Sequence, residues 1–301
     1  MIDSAFKKPE VEDRQIIKSY FANPERNACE RTFANALLWS RDYKVRYGMI
    51  EDALVFCSDK EERSRFSIPI GKEENVKKAF DKMIQYFEAE KREIHFFNVL
   101  EEEFAMIDRW YPNQYEITYD RDEADYVYER EKLATLSGKK LHSKRNHINK
   151  FKNINRDWVY ETITDGNLEE CFQMALKWRS LNGCDENEEK NAEMCVTLNS
   201  LRLHNELGLK GGLLRVGGEI VAITMGEPVN AEMFCVHIEK AFTAVDGAYP
   251  MINQQFVLNE CMDYRYINRE EDLGSEGLRK AKLSYRPVFL VEKGILRKKD
   301  A

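Results

Sequence analysis

The sequence predicts an α+β protein built as two similar domains in tandem, each a mixed, mostly antiparallel sheet flanked by helices. Three observations lead there. The 301 residues are 43% hydrophobic, enough for one large core or two of ordinary size. From residue 158 onward the periodicities follow the order β-α-α-β-β-β-α-β-α-β, and the first half repeats a less regular version of it. Between the halves lies the stretch 132–156, KLATLSGKKLHSKRNHINKFKNINR, with eight Lys or Arg and no Asp or Glu in a chain of net charge −7. The remainder therefore sums to about −15, so this stretch is either a solvated helix face or a docking surface for an anion. The expected division is an N-terminal domain over 1–135, a basic connecting helix over 136–157 and a C-terminal domain over 158–301; it rests on element order, because the halves share no sequence identity.

In order, Val11 to Phe21 reads as a short helix, followed by the polar break Asn23-Pro24. YKVRY (43–47), ALVFC (53–57) and RFSIPI (65–70) are β-rich runs separated by Gly48 and Glu51-Asp52, an antiparallel meander. Glu73 to Lys91 places Val76, Phe80, Met83, Ile84 and Phe87 on one helical face. IHFFNV (94–99) is a buried strand, Glu101 to Trp110 a helix stopped by Pro112, and YEITY (115–119) and DYVYE (125–129) are two further strands.

Past the basic stretch, WVYETI (158–163) is a strand, Leu168 to Leu181 a helix, and Glu188 to Leu207 a second helix closed by Gly208. GLLRV (212–216) and EIVAITMG (219–226) form a hairpin around Gly217-Gly218, two residues suited to positive φ. MFCVHIE (233–239) adds a strand, and Pro250 marks the first position of a helix to about Asp263. YRYIN (264–268) is a strand, Glu276 to Tyr285 a helix with Ser275 as N-cap, and PVFLVE (287–292) the closing strand.

The N-terminus MIDSAFKKPEVEDR lacks the apolar core of a signal peptide, no run approaches the roughly 20 apolar residues of a membrane span, residue 2 is Ile rather than Gly, and LRKKDA is no prenylation box. A soluble cytoplasmic protein is expected. Seven cysteines without a CxxC are expected to be reduced and mostly buried. The five histidines form no HExxH or similar spacing, so no metal site is expected; one would have to be assembled from distant residues.

The second-half order is that of a GNAT-type acyltransferase. In that fold the turn before the Pro250 helix matters, because the first N–H groups of a helix lack internal partners and its dipole end is positive. Here it reads TAVDGAYP (243–250), with the single glycine Gly247 and the acidic Asp246. Both depart from a glycine-rich pyrophosphate loop and argue against coenzyme A. The segment NREEDLGSEGLRKAKLSYRP (268–287) opens a helix on which Arg279, Lys282 and Tyr285 follow at i+3 spacing. Such a face would hold an anionic substrate, stabilise an oxyanion and offer a phenol as acid; a salt-bridged surface helix has the same pattern.

NREEDLGSEGLRKAKLSYRPV together with KKLHSKRNHINKF resembles, over essentially the whole chain, the family of soluble proteins similar to the C-terminal domain of bacterial phosphatidylglycerol lysyltransferases, a tandem GNAT-like fold related to the Fem aminoacyltransferases. The resemblance implies an aminoacyl-tRNA donor and transfer to a lipid headgroup hydroxyl or a peptide amine. It carries over Lys144, Arg145, Asn146 and Asn149 from the first motif, and Asn268, Arg269, Asp272, Leu273, Gly274, Gly277, Leu278, Arg279, Lys282 and Tyr285 from the second; Lys282 matches the lysine connected with catalysis. These relatives usually carry a large N-terminal membrane domain, and its absence from this sequence points away from lipid as acceptor.

The expected function is therefore acyl transfer, with an aminoacyl group moving from aminoacyl-tRNA to an amine or hydroxyl acceptor. The alternatives are an acyl-coenzyme A-dependent N-acyltransferase and a non-catalytic binding protein with a degenerate acyltransferase fold. No cofactor is required; acyl-coenzyme A is the alternative donor. Lys282 would stabilise the oxyanion, Tyr285 or water supply a proton, and Asp272 or Glu271 assist the nucleophile, with His237 as a further base. Lys144, Arg145, Asn146, Asn149, Gly247, Asn268, Arg269 and Arg279 would hold the donor. The acceptor is a small molecule, a peptide or a lipid headgroup.

Overall fold

A computed structural model describes residues 6–21, 27–59 and 64–299; the expected break at Asn23-Pro24 lies outside them. The chain forms two compact units, one running to Asp125 and resuming at Val291, the other spanning Tyr126–Leu290.

The first unit contains α1 (Arg14–Phe21), α2 (Phe33–Leu38), β1 (Val45–Ile50), β2 (Ala53–Ser58), β3 (Arg65–Ser67), α3 (Glu73–Ala89), β4 (His95–Leu100), α4 (Glu101–Trp110), most of β5 (Tyr115–Glu129) and most of β11 (Phe289–Lys298). The meander is present: β1 pairs antiparallel with β2 and β2 with β3, after which β3 lies parallel to β4. Its first turn falls later than expected. Strand β1 runs through Gly48 to Ile50, and the reversal uses Glu51 and Asp52 at φ 48° and 56°, the left-handed pair that a two-residue hairpin favours.

YEITY and DYVYE, expected as two strands, are one fifteen-residue strand. The polar residues between them stay extended, and Asp125 is buried where Lys293 Nζ (2.9 Å) and the Cys29 amide (2.8 Å) satisfy it. The α3 stripe Val76, Phe80, Met83 and Phe87 is buried as its spacing requires, with Phe80 stacked on Phe96 at 5.2 Å; Ile84 is half-buried. Each such side chain contributes about 1.5–3 kcal/mol.

The second unit contains α5 (Arg130–Thr135), α6 (His142–Ile154), β6 (Val159–Thr162), α7 (Leu168–Leu181), α8 (Glu188–Arg202), α9 (His204–Leu207), β7 (Lys210–Val216), β8 (Glu219–Pro228), β9 (Met233–Ala241), α10 (Ala248–Glu260), β10 (Tyr266–Asn268) and α11 (Glu276–Leu283). From Val159 the element order is the one the periodicities gave, except that the helix over 188–207 breaks at Leu203 before Gly208 closes it at φ 61°. The basic stretch comprises the end of α5, a short turn and α6, in which Leu141, Ile148 and Phe151 face the core as expected. Gly217 and Gly218 take φ 60° and 82° in the β7–β8 hairpin. Pro250 is the third residue of α10 instead of the first, still inside the turn whose N–H groups have no helical acceptor.

Strands β6 to β9 pair antiparallel in sequence, and β10 pairs parallel with β9. The first unit's strands run in the order β1-β2-β3-β4-β11-β5 and the second unit's in the order β5-β10-β9-β8-β7-β6, with β5 contributing residues to each. Six of the seven cysteines are buried and Cys195 is half-buried. Among the described residues no helix is long and apolar enough to cross a membrane.

Candidate active site

The chemistry-bearing residues of the second unit gather around the loop that leaves β10. Residues Glu270 and Leu273 sit there at φ 57° and 46°, followed by Gly274 at 76°, and a left-handed glutamate persists only where its surroundings hold it. Asn268 Oδ1 accepts from the Glu270 amide at 2.7 Å, and the Glu270 carbonyl accepts from the Tyr126 amide at 3.1 Å. Lys282, 8% exposed, donates to the carbonyls of Arg269 (2.7 Å), Glu270 (3.0 Å) and Glu271. One ammonium thus gathers three successive carbonyls.

Asp272 anchors the other end of the loop. Its oxygens accept from Arg279 Nε at 2.8 Å and Nη2 at 2.6 Å, from the Gly274 amide at 3.0 Å, and from the Tyr126 hydroxyl. Burial opposes ionisation here, but Arg279, Tyr126 and the amide outweigh it and bring the carboxyl down to about 2. A carboxylate so committed is a weak acceptor of a substrate proton at neutral pH. Arg279, Lys282 and Tyr285, placed on one face by their spacing, therefore diverge: α11 ends at Leu283, and each side chain has its own partners.

Arg269 and Tyr285 belong to a second group of residues. Arg269 Nη2 donates to Glu239 Oε1 at 2.8 Å, and Asn253 Nδ2 donates to Glu239 Oε2 at 3.0 Å. The Tyr285 ring has two cations against it, with Lys144 Nζ 4.1 Å and the Arg269 guanidinium 4.9 Å from its centroid. Burial, and next the Arg269 charge, lower the Lys144 pKa, while burial raises that of Tyr285, keeping the phenol protonated. Arg269 Nη1 and Asn253 Oδ1 are buried with no hydrogen-bond partner in the protein. A free donor and a free acceptor thus flank one carboxylate.

A third group surrounds His237. Its Nδ1 lies 2.7 Å from Glu270 Oε1, its Nε2 3.7 Å from Glu227 Oε1, and Cys235 Sγ 3.6 Å from Nδ1. Burial works against a charged ring, yet Cys235, Glu227 and Glu270 together raise its pKa well above the usual imidazole value. Burial also pushes Glu270 toward its neutral form. The short contact and the second carboxylate favour the imidazolium–carboxylate arrangement for this pair.

The remaining expected donor-side residues lie apart. Arg145 donates to the carbonyls of Leu136 and Gly138, closing the turn after α5; Asn146 and Asn149 are exposed on α6. Gly247 N-caps α10 at φ 82°, where a Cβ would come 2.6 Å from the His147 carbonyl, so α6 covers this helix start; Asp246 beside it pairs with Lys150. Glu271 is half-buried on the loop. Glu239, Asn253, Glu227, Glu270 and Cys235 were not picked out in the sequence. The only local signal was the alternation on β9, which sets Cys235, His237 and Glu239 on one face.

Comparison with known proteins agrees with this architecture. The structure of a conserved protein of unknown function from Bacteroides thetaiotaomicron is 40% identical, with 98% of this chain and 99% of that one covered at a TM-score of 0.91. The L-PGS structure from Bacillus licheniformis shares the fold at 14% identity, with 98% and 94% coverage and a TM-score of 0.66. An uncharacterised protein of Mycoplasmoides gallisepticum is 25% identical over 197 residues; the match takes in 62% of this chain and 61% of that relative, so the chain spans under two thirds of its length. The family described as phosphatidylglycerol lysyltransferase, C-terminal, matches residues 21–295, and the chain belongs to that family.

Proposed function

We propose that the chain is an aminoacyl transferase that takes its acyl group from aminoacyl-tRNA and delivers it to an amine or hydroxyl acceptor. The observation that carries this reading is the polar group at Glu239: Arg269 Nη1 is a buried donor without a partner and Asn253 Oδ1 a buried acceptor without one, on either side of the same carboxylate. An aminoacyl ester is complementary to that set. Its α-ammonium suits Asn253 Oδ1 and Glu239, and its carbonyl oxygen suits Arg269 Nη1.

In the reaction the acceptor attacks the ester carbonyl, the oxyanion is held by Arg269 with Lys144 beside it, and the bond to the ribose oxygen breaks. Tyr285 protonates the departing ribose oxygen, and Glu271 takes the acceptor's proton directly or through water. Lys282, Asp272 and Arg279 act at one remove by holding the loop that aims Arg269. The basic turn and outer face of α6 suit the phosphates of an RNA donor, whereas the start of α10, closed by His147 and flanked by Asp246, does not favour a coenzyme A diphosphate.

The test is a transfer assay with tRNA charged with labelled amino acids, offered with a panel of amines and hydroxyl compounds, in parallel with acyl-coenzyme A. Label passing from tRNA to an acceptor, reduced in Arg269→Met and Asn253→Leu, supports the reading. Transfer from acyl-coenzyme A alone overturns the donor, and tRNA binding without any product overturns catalysis.

A further inference from the structure

The donor atoms around His237 form a triangle of the type that holds a metal. Cys235 and His237 are two residues apart on β9 and so share a face of the strand. Glu270 is delivered to them from the loop after β10 by its left-handed backbone, φ 57°, with its amide fixed by Asn268 and its carbonyl by Lys282. The separations are 3.6 Å from Cys235 Sγ to His237 Nδ1, 4.0 Å from Sγ to Glu270 Oε1, and 2.7 Å from Nδ1 to Oε1.

Around a tetrahedral zinc ion with ordinary Zn–S, Zn–N and Zn–O bonds, such donor atoms lie roughly 3.3–3.6 Å apart. The two sulfur edges are within about half an ångström of that. The nitrogen–oxygen edge must open by about 0.6 Å as a cation takes the place of the shared proton.

Two features outside the triangle complete it. The other ring nitrogen, Nε2, faces the 1% exposed Glu227 carboxylate at 3.7 Å, the partner that metal-bound imidazoles generally have. Glu227 stands opposite Cys235 in the β8–β9 ladder, just past a register shift at Gly226. A Cβ at Gly226 would lie 2.0 Å from the Cys235 carbonyl, so the approach of β8 that brings Glu227 in requires glycine. Two carboxylates and a thiol around one imidazole, nearly all of it buried, form a site whose summed charge a dication compensates better than a single ring proton.

We propose that Cys235, His237 and Glu270 bind a divalent transition-metal ion of the zinc class, with Glu227 orienting the imidazole. Thiolate and imidazole ligands select zinc or cobalt over magnesium or calcium. The proposal does not depend on the aminoacyl-transfer reading.

The experiment uses the full chain, stripped with chelator and titrated with Zn²⁺ and Co²⁺, reading metal per chain, thermal midpoint and the near-ultraviolet sulfur-to-cobalt absorption. The expected result is one ion per chain, a raised midpoint and a sulfur-to-cobalt band, with band and midpoint shift both lost in Cys235→Ser. Glu227→Gln, which keeps all three ligands, should retain the band and weaken Co²⁺ binding about tenfold or more, so the test stands even if Cys235→Ser does not fold. A chain that takes up no Co²⁺ overturns the proposal. So does a band of undiminished strength in folded Cys235→Ser, which would place the ion at another cysteine, or Co²⁺ affinity unchanged by Glu227→Gln.

Discussion

Replacing Lys282 by Met keeps most of the aliphatic stem and deletes the ammonium, and the consequence can be worked from its contacts. The ammonium donates to the carbonyls of Arg269, Glu270 and Glu271. Hydrogen bonds from a charged donor contribute about 1.5–3 kcal/mol each, and a buried carbonyl left without a donor costs about 1–3 kcal/mol. The three losses are not additive, since the Glu270 carbonyl keeps the Tyr126 amide as a donor and one relaxation of the loop lets water reach the other two, so we expect a total of about 3–4 kcal/mol. In a unit of this size that lowers the melting temperature by about 10 °C, readable by circular dichroism or urea denaturation, and aminoacyl transfer falls with it because Arg269 loses its support. A variant that melts within about 2 °C of the parent yet has lost transfer would refute this, and would return Lys282 to the oxyanion role that its place in the motif suggested.

Three more outcomes follow from neighbouring contacts. Gly247→Ala places a Cβ 2.6 Å from the His147 carbonyl at φ 82°, and should cost about 2–4 kcal/mol by chemical denaturation; an unchanged midpoint would mean that α6 does not close the start of α10. Asp272, held at about 2 in the folded chain against about 3.9 unfolded, contributes about 2 kcal/mol that is fully present above about pH 4 and lost as the pH falls toward 2. Arg279→Ala should flatten that part of the stability profile, and a parent-like acid limb would remove the ion pair from the account. Lys139→Glu with Lys140→Glu, both exposed, should weaken tRNA binding and make the salt dependence shallower by about 1.5 in log–log slope with no change in melting temperature; tRNA binding equal to the parent at low salt would reduce this stretch to a solvated surface.

Local pattern carried much of the fold. The apolar spacing located α4 and α7 to the residue, at Glu101–Trp110 and Leu168–Leu181, because a helix with one buried face writes its period into the sequence. What it missed depended on distant partners. The mostly polar residues 120–124 hid the continuity of β5, which read as two strands, and Lys293, which satisfies the buried Asp125 next to them, lies 168 residues away. The site divides in the same way. The 268–287 segment was legible as a motif, but helical spacing alone grouped Arg279, Lys282 and Tyr285, and their real partners are Asp272, three backbone carbonyls and the Lys144–Arg269 pair. His237 was noticed for its strand, whereas the glutamates that flank it, 10 residues before and 33 after, leave no mark in the sequence.

The loop after β10 explains why these groups of residues need one another. Arg269 turns to Glu239 and the next residue, Glu270, turns to His237, so two successive side chains serve two different centres. In a regular strand that separation comes from alternation; here the chain has left β10, and the left-handed Glu270 redirects it instead. Such a conformation costs about 1–3 kcal/mol in a non-glycine residue. Four hydrogen bonds hold the segment: Asn268 to the Glu270 amide, Tyr126 to its carbonyl, and Lys282 to the carbonyls of Glu270 and Arg269. Asp272 and Arg279 fix the point where the chain re-enters α11. Most of the residues the motif singles out thus form the frame, while the Arg269 side chain reaches Glu239 beside the Tyr285 ring and the Glu270 side chain pairs with His237. A motif conserving such a frame would look catalytic in sequence because the reactive geometry fails without it, even where the side chain in question never meets the substrate.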